Sequence, residues 1–166
     1  SGHLTIPAGA TSGSVTVIVN DDSLDENDET FELAISSPTN ATIVDATALG
    51  TITDNDNPPS LAISDALASE AGTVSFTLSL SSPSSFDVGV DFATADQTAS
   101  TADYTATTGS ITIPAGATSA TITVATVDDA LDEDNETFLV TLSNPSNATV
   151  SDGTGVGTIT DDDPTP

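Results

Sequence analysis

The sequence predicts an all-β protein, a sandwich of seven short antiparallel strands that occurs in tandem. Three observations carry this. Apolar residues alternate with Ser and Thr in short runs, with turn residues between them about every 8–12 positions. No stretch keeps a helical period over a useful length. The chain also repeats itself at one fixed offset, a domain-sized 107 residues.

The strands follow in order through the second copy. "SLAIS" at 60–64 opens it. "TVSFTLSL" at 73–80 turns Val74, Phe76, Leu78 and Leu80 to one face. "FDVGVDFAT" at 86–94 does the same with Phe86, Val88, Val90 and Phe92. "SITI" at 110–113 runs into the "PAGA" turn, where Pro and Gly set the bend. "SATITVATV" at 119–127 places Ile122 and Val124 opposite its threonines. "TFLVTLS" at 137–143 turns Phe138, Val140 and Leu142 inward, and "GVGTIT" at 155–160 closes the unit. Tyr104 and the five Phe read as core residues.

The repeat is read by direct comparison. "LTIPAGATSGSVTVIVNDDSLDENDETF" at 4–31 returns as "ITIPAGATSATITVATVDDALDEDNETF" at 111–138. "PTNATIVDATALGTITDND" at 38–56 returns as "PSNATVSDGTGVGTITDDD" at 145–163. Over 59 ungapped positions, 33 are identical. Residues 58–166 hold a complete copy. Residues 1–57 match only its later part and keep the counterparts of the last four strands. The chain therefore reads as a slice of a longer tandem array, with "DNPPS" at 56–60 as a proline-stiffened junction. Half a sandwich leaves an apolar face and sheet edges bare. The expectation is that it is unfolded, exchanged with another molecule, or completed by strands from elsewhere.

Composition narrows the function. The net charge is −26, with no Lys or Arg. Nucleic-acid binding needs cations against phosphate and is excluded, as is attraction to an anionic membrane surface. No apolar run approaches the roughly 18 residues of a spanning helix, and no signal peptide is visible. The absence of Cys removes disulfides and thiolate chemistry. Trypsin-like proteases find no site, which suits a location outside the cell or at its surface.

The carboxylates are concentrated. Residues 21–29 hold six, 54–56 two, 128–136 six and 161–163 three, together 17 of 26. Each copy has one acidic loop between its fifth and sixth strands and another after its last, which a sandwich can bring to one pole. Like charges about 4 Å apart repel by about 4 kcal/mol at an effective dielectric of about 20. Several such pairs rival the roughly 5–15 kcal/mol of a domain's stability. A solvated acidic face is the bland reading. Recurrence at the same loops of both copies favours a metal, and clustered hard oxygens on loops suit Ca²⁺ better than Mg²⁺. The EF-hand pattern is absent, so the ligands come from separate loops.

"DDALDEDNETF" and "GTITDDD", preceded by "SEAG" and "TADYTATTGSITIPAG", resemble the Calx-β domain. The resemblance spans the full unit and the partial one. It implies a seven-stranded immunoglobulin-like sandwich with a calcium cluster at its distal loops. Carried over by motif, the ligands are Glu70, Asp103, Asp128, Asp129, Glu133, Glu136, Asp161, Asp162 and Asp163, with the backbone carbonyl of Leu131. In the first copy the matches are Asp21, Asp22, Glu26, Glu29, Asp54 and Asp56. Asn55 replaces Asp162, and the counterparts of Glu70 and Asp103 fall before residue 1. Asp96, Asp132 and Asp134 are expected to face solvent.

Enzymatic chemistry is not expected. His3 is the single histidine, which rules against a Ser-His-Asp site. Paired carboxylates on loops poor in aromatic residues do not suit glycoside cleavage. Asn40, Asn135 and Asn147 open N-x-[ST] sequons, a frequent coincidence in a Thr-rich chain. The expected role is a calcium-binding structural or adhesive repeat of a large surface protein. Its partners would be Ca²⁺, neighbouring repeats and other copies of itself, with strand complementation giving a fibre. The rival readings are a calcium-sensing regulatory pair and a carbohydrate- or protein-binding adhesin module.

Overall fold

Every regular element of residues 2–164, described by a computed structural model, is a strand. Ser1, Thr165 and Pro166, at the outer ends of the two predicted domains, lie outside the described residues. The strands are β1 (Glu29–Ala34), β2 (Thr47–Ile52), β3 (Ser60–Ile63), β4 (Ala66–Ser69), β5 (Thr73–Leu80) and β6 (Val88–Asp96). They continue as β7 (Thr108–Ile113), β8 (Ser119–Ala125), β9 (Glu136–Ser146), β10 (Thr149–Asp152) and β11 (Thr154–Thr160). Two compact units result. One holds the residues up to Asp22 together with Thr30–Ile52, and the other holds Ser23–Glu29 and everything from Thr53 on. The division differs from the sequence boundary at 57/58, because the acidic segment 23–29 belongs structurally with the second copy.

In the second unit two sheets enclose one core. Their strand orders are β10-β3-β5-β8 and β4-β11-β9-β6-β7. The expected alternation is realised in β5, where Val74, Phe76, Leu78 and Leu80 are buried and the residues between them exposed. From the opposite sheet come Val88, Val90, Phe138, Val140 and Ile159. Phe138 is the centre. Tyr104 stacks on it at 4.4 Å between centroids, and Phe76 meets it edge-on at 5.9 Å. Gly157 lies beneath the same ring, where an added Cβ would sit 2.4 Å from it. An aromatic side chain thus covers the glycine gap on the neighbouring strand.

Two expectations are corrected. The unit has nine strands among its described residues, where seven were predicted, and it is not wholly antiparallel: β4 pairs with β11 and β10 with β3 in parallel. The entering chain changes sheets at Ser64–Asp65, and the Asp65 carboxylate holds the crossing by accepting the Val156 N–H at 2.8 Å. The extra strands escaped the reading for a physical reason. β4 is "ALAS", with Leu67 72% exposed, and β10 is exposed throughout, so neither shows an apolar alternation.

The first unit contains one two-stranded sheet, β1 with β2. It repeats local details of its counterpart. Phe31 covers Gly50 as Phe138 covers Gly157, with the same 2.4 Å approach. Ile35 donates to the Ala46 carbonyl as Leu142 does to that of Gly153, both at 2.8 Å. The expected counterparts of the strands at 110–113 and 119–127, at 3–6 and 12–20, do not form. In the second unit their counterparts β7 and β8 pair with β6 and β5. No residues of this chain correspond to β5 and β6 in the first copy. Ile6 is accordingly 52% exposed where Ile113 is 1%, and Val17 46% where Val124 is 0%.

Gly157→Ala should lower the stability of the second unit by about 1–3 kcal/mol, because the methyl must displace a fully packed ring. Urea unfolding followed by Tyr104 fluorescence reads this. An unchanged midpoint would show that the ring yields freely.

Candidate metal centre

The end of the sandwich where β4 and β11 stop is built by four chain segments. β4 and β11 run parallel in register, Ser69 opposite Thr160, and the Glu70 N–H donates to the Thr160 carbonyl at 3.3 Å. That pairing sets Glu70 beside Asp161–Asp163. The turn after Glu70 is tight: Ala71 has φ 53°, and a Cβ on Gly72 would stand 2.7 Å from the Ser69 carbonyl. Thr126 latches this turn. Its hydroxyl accepts from the Gly72 N–H at 2.7 Å and donates to the Ser69 carbonyl at 2.9 Å.

Asp103 is placed from the core. Its neighbour Tyr104 is 1% exposed, stacked on Phe138, and donates its hydroxyl to Asp96 at 2.6 Å. Burial, then the Asp96 bond, pushes the Tyr104 phenol up to about 12, so it stays a donor. Asp96, expected to face solvent only, is exposed yet serves as this acceptor. The Ser100 N–H and hydroxyl both donate to Asp103, at 2.7 and 3.0 Å. The Asp103 carbonyl accepts from the Val127 N–H at 2.8 Å, which ties this segment to the start of the loop at 128–136.

The side chains converge in three groups. In each, one carboxylate oxygen per residue lies within 4.8 Å of those of the other two: Glu70, Asp161 and Asp163; Glu70, Asp128 and Asp162; Asp103, Glu133 and Glu136. Asp129 donates its N–H to Glu70 at 3.4 Å and lines the same cleft. The nine side chains predicted in the second copy therefore gather at one pole. Leu131 enters through its N–H, which donates to Asp129 at 2.8 Å. Asp134, expected in solvent, is exposed and also lines the cleft. Asn135, not foreseen, accepts the Asp161 N–H at 3.3 Å. The first copy repeats the contact, with Asp28 accepting the Asp54 N–H at 3.0 Å.

Asp21, Asp22, Glu26, Glu29, Asp54 and Asp56 form no such group among the described residues. The reason is structural. Each group of the second copy includes Glu70 or Asp103, and the chain has no counterpart of either.

Crowding raises the cost of charge. Burial, then the charges of Asp129, Asp161 and Asp163, pushes Glu70 up, with the Asp129 N–H offsetting part of it. Glu133 and Asp163 are raised by burial and then by their acidic neighbours. Burial, a hydrogen bond to Asp103 and the charges around it lift Glu136 to about 7. Burial acts on Asp103 too, but the hydrogen bonds from Ser100 and Glu136 together outweigh it and hold Asp103 low. Asp163 also has a buried Oδ2 without a partner, an orphaned acceptor of a kind folded proteins rarely leave. Hard oxygens, mutual repulsion and an orphaned acceptor together fit a divalent cation.

Fold and site define a β-sandwich module with a carboxylate-lined loop end. The family profile described as Calx-beta domain matches residues 1–56 and again 54–163, and the chain belongs to that family. Solved structures agree on the fold. The apo-form Calx CBD1 domain superposes with a TM-score of 0.58 at 22% identity, over 63% of this chain and 98% of that one. The calcium binding domain CBD12 of CALX1.1 gives 0.57 at 24%, over 62% of this chain and 46% of that one. CBD12 from CALX1.2 gives 0.58 at 23%, again over 46% of its length. Comparison with curated sequences finds no match.

The raised carboxyls set a pH dependence. A folded-state value of about 7 for Glu136 lies above its ordinary 4.5, so the folded chain binds that proton more tightly. The resulting stability is present below the ordinary value and is lost as pH rises towards about 7. Asp103, held low, works in the opposite sense but only at more acidic pH. Without divalent ions, the melting temperature of the second unit should fall between about pH 5 and about pH 8. A flat or rising profile contradicts the geometry.

Proposed function

We propose that this chain is a calcium-binding structural repeat. The observation that carries the reading is the convergence of nine carboxylates at one pole of a chain without Lys or Arg. Glu70, Asp103, Asp128, Asp129, Glu133, Glu136, Asp161, Asp162 and Asp163 supply the ligands, joined by the Leu131 carbonyl. The protein folds as an immunoglobulin-like sandwich module. Bound Ca²⁺ replaces self-repulsion by attraction and supplies a partner for the Asp163 carboxylate. Family membership and the hard-oxygen donor set support the choice of ion.

The role is mechanical and extracellular. Asp161–Asp163 directly follow β11, so an ion held there tethers the chain as it leaves the sandwich. Extracellular calcium modules work at dissociation constants of roughly 10⁻⁴–10⁻³ M. Ca²⁺ would then stiffen joints between successive repeats of a surface or secreted protein, and the first copy, whose expected early strands do not form here, would be completed by another molecule or repeat. A chain without a histidine near the cleft and with one Tyr offers little for catalysis or sugar stacking.

Calorimetric titration should show Ca²⁺ binding that Glu70→Gln weakens at least about tenfold, since Glu70 serves two of the groups. Asp54→Asn should leave it unchanged. At about 100 times the dissociation constant, Ca²⁺ adds about 2.7 kcal/mol to the folded state, so chelator should lower the melting temperature. Absence of heat, with an unmoved melt in chelator, defeats the reading. Micromolar affinity would favour calcium sensing instead. Light scattering against Ca²⁺ tests assembly, and a strict monomer at all concentrations removes the fibre.

A further inference from the structure

The acidic loop of the first copy ends in a contact that the metal reading does not use. Asp25 is 8% exposed and lies against the loop between β5 and β6. Its carboxylate accepts the Ser84 hydroxyl at 3.0 Å, and its carbonyl accepts both the Ser85 N–H at 3.0 Å and the Ser85 hydroxyl at 2.9 Å. The receiving loop is preset. Ser84 is 1% exposed, and its Oγ accepts the Phe86 N–H at 3.1 Å, which directs its proton to Asp25. Its carbonyl accepts the Gly116 N–H from the "PAGA" turn at 2.9 Å.

The same tripeptide, Leu-Asp-Glu, stands at 24–26 and at 131–133. Asp132, the counterpart of Asp25, is exposed in its own acidic loop. We propose that the Asp25 contact is a repeating joint between tandem copies, and that Asp132 is its unengaged acceptor half, placed to dock on the Ser-Ser loop of a following repeat. The partner chemistry is specific: a buried serine hydroxyl for the carboxylate, and the N–H and hydroxyl of the next serine for the carbonyl of the same aspartate. The joint involves no metal ligand and stands apart from the calcium reading.

The test extends the full chain by a further copy of residues 60–166 placed directly after Pro166, which preserves the 107-residue offset. Amide hydrogen exchange is read, in chelator and in Ca²⁺, at Ser85 and at its equivalent in the added copy. Both should be protected. Asp132→Ala should speed exchange roughly tenfold at the added serine and leave Ser85 untouched, and Asp25→Ala should do the reverse. Asp25→Asn, which keeps an acceptor, should retain most of the protection at Ser85. An added serine that exchanges freely, or that ignores Asp132→Ala, overturns the proposal. So does protection at Ser85 that survives Asp25→Ala. Loss of Ca²⁺ binding with the joint intact would count only against the metal reading.

Discussion

Repulsion among carboxylates with no cationic side chain to answer it is the constraint on which the site depends. Glu70, Asp103, Glu133, Glu136 and Asp161–Asp163 are forced together by strand ends that must meet there for the core to close. The fold offsets the crowding with neutral donors: the Asp129 N–H on Glu70, the Ser100 N–H and hydroxyl on Asp103, and the Asp163 N–H on Asp161. These donors are few. The rise of Glu136 to about 7 and the unpartnered oxygen on Asp163 mark where they run out.

Placement of the acids is inherited from the core. Phe138 stacks Tyr104, Tyr104 fixes Asp103, and Asp96 fixes the Tyr104 hydroxyl. Glu70 takes its position from the β4–β11 pairing and from the Thr126 latch. A change to the stacked pair would therefore reach the carboxylates without touching one. The first copy shows the converse. It keeps six of the acids, yet lacks the segments that would bring Glu70 and Asp103 equivalents to them, and no group of three assembles among its described residues.

What the sequence revealed divides along the range of the interactions. Local features were legible. The "PAGA" turn closes alike in both copies, with Ala10 donating to Pro7 at 3.0 Å and Ala117 to Pro114 at 2.9 Å. Ser37 and Asn144, like Asn40 and Asn147, take the same left-handed backbone one repeat apart. Strands with alternating Val, Ile and Phe were legible where partners exist. They failed at 3–6 and 12–20 because a strand is a property of its neighbours as much as of its residues. β4 and β10 were hidden because their pairing is parallel, brief and largely solvent-facing. The acidic residues were found through motif and charge, but Asn135 and Ser100, neutral and scattered, matter only through geometry that no pattern displays.

The parallel pairing of β4 with β11 has a consequence for a chain under tension. β4 lies near the entrance to the second unit and β11 near its exit, joined at Ala66–Gly157, Leu67–Thr158, Ala68–Ile159 and Ser69–Thr160. Pulling the two ends apart slides one strand along the other. All the rungs are then strained together, instead of parting one at a time as in a hairpin peeled from its tip. Such a geometry resists rupture by force out of proportion to the modest number of bonds it contains.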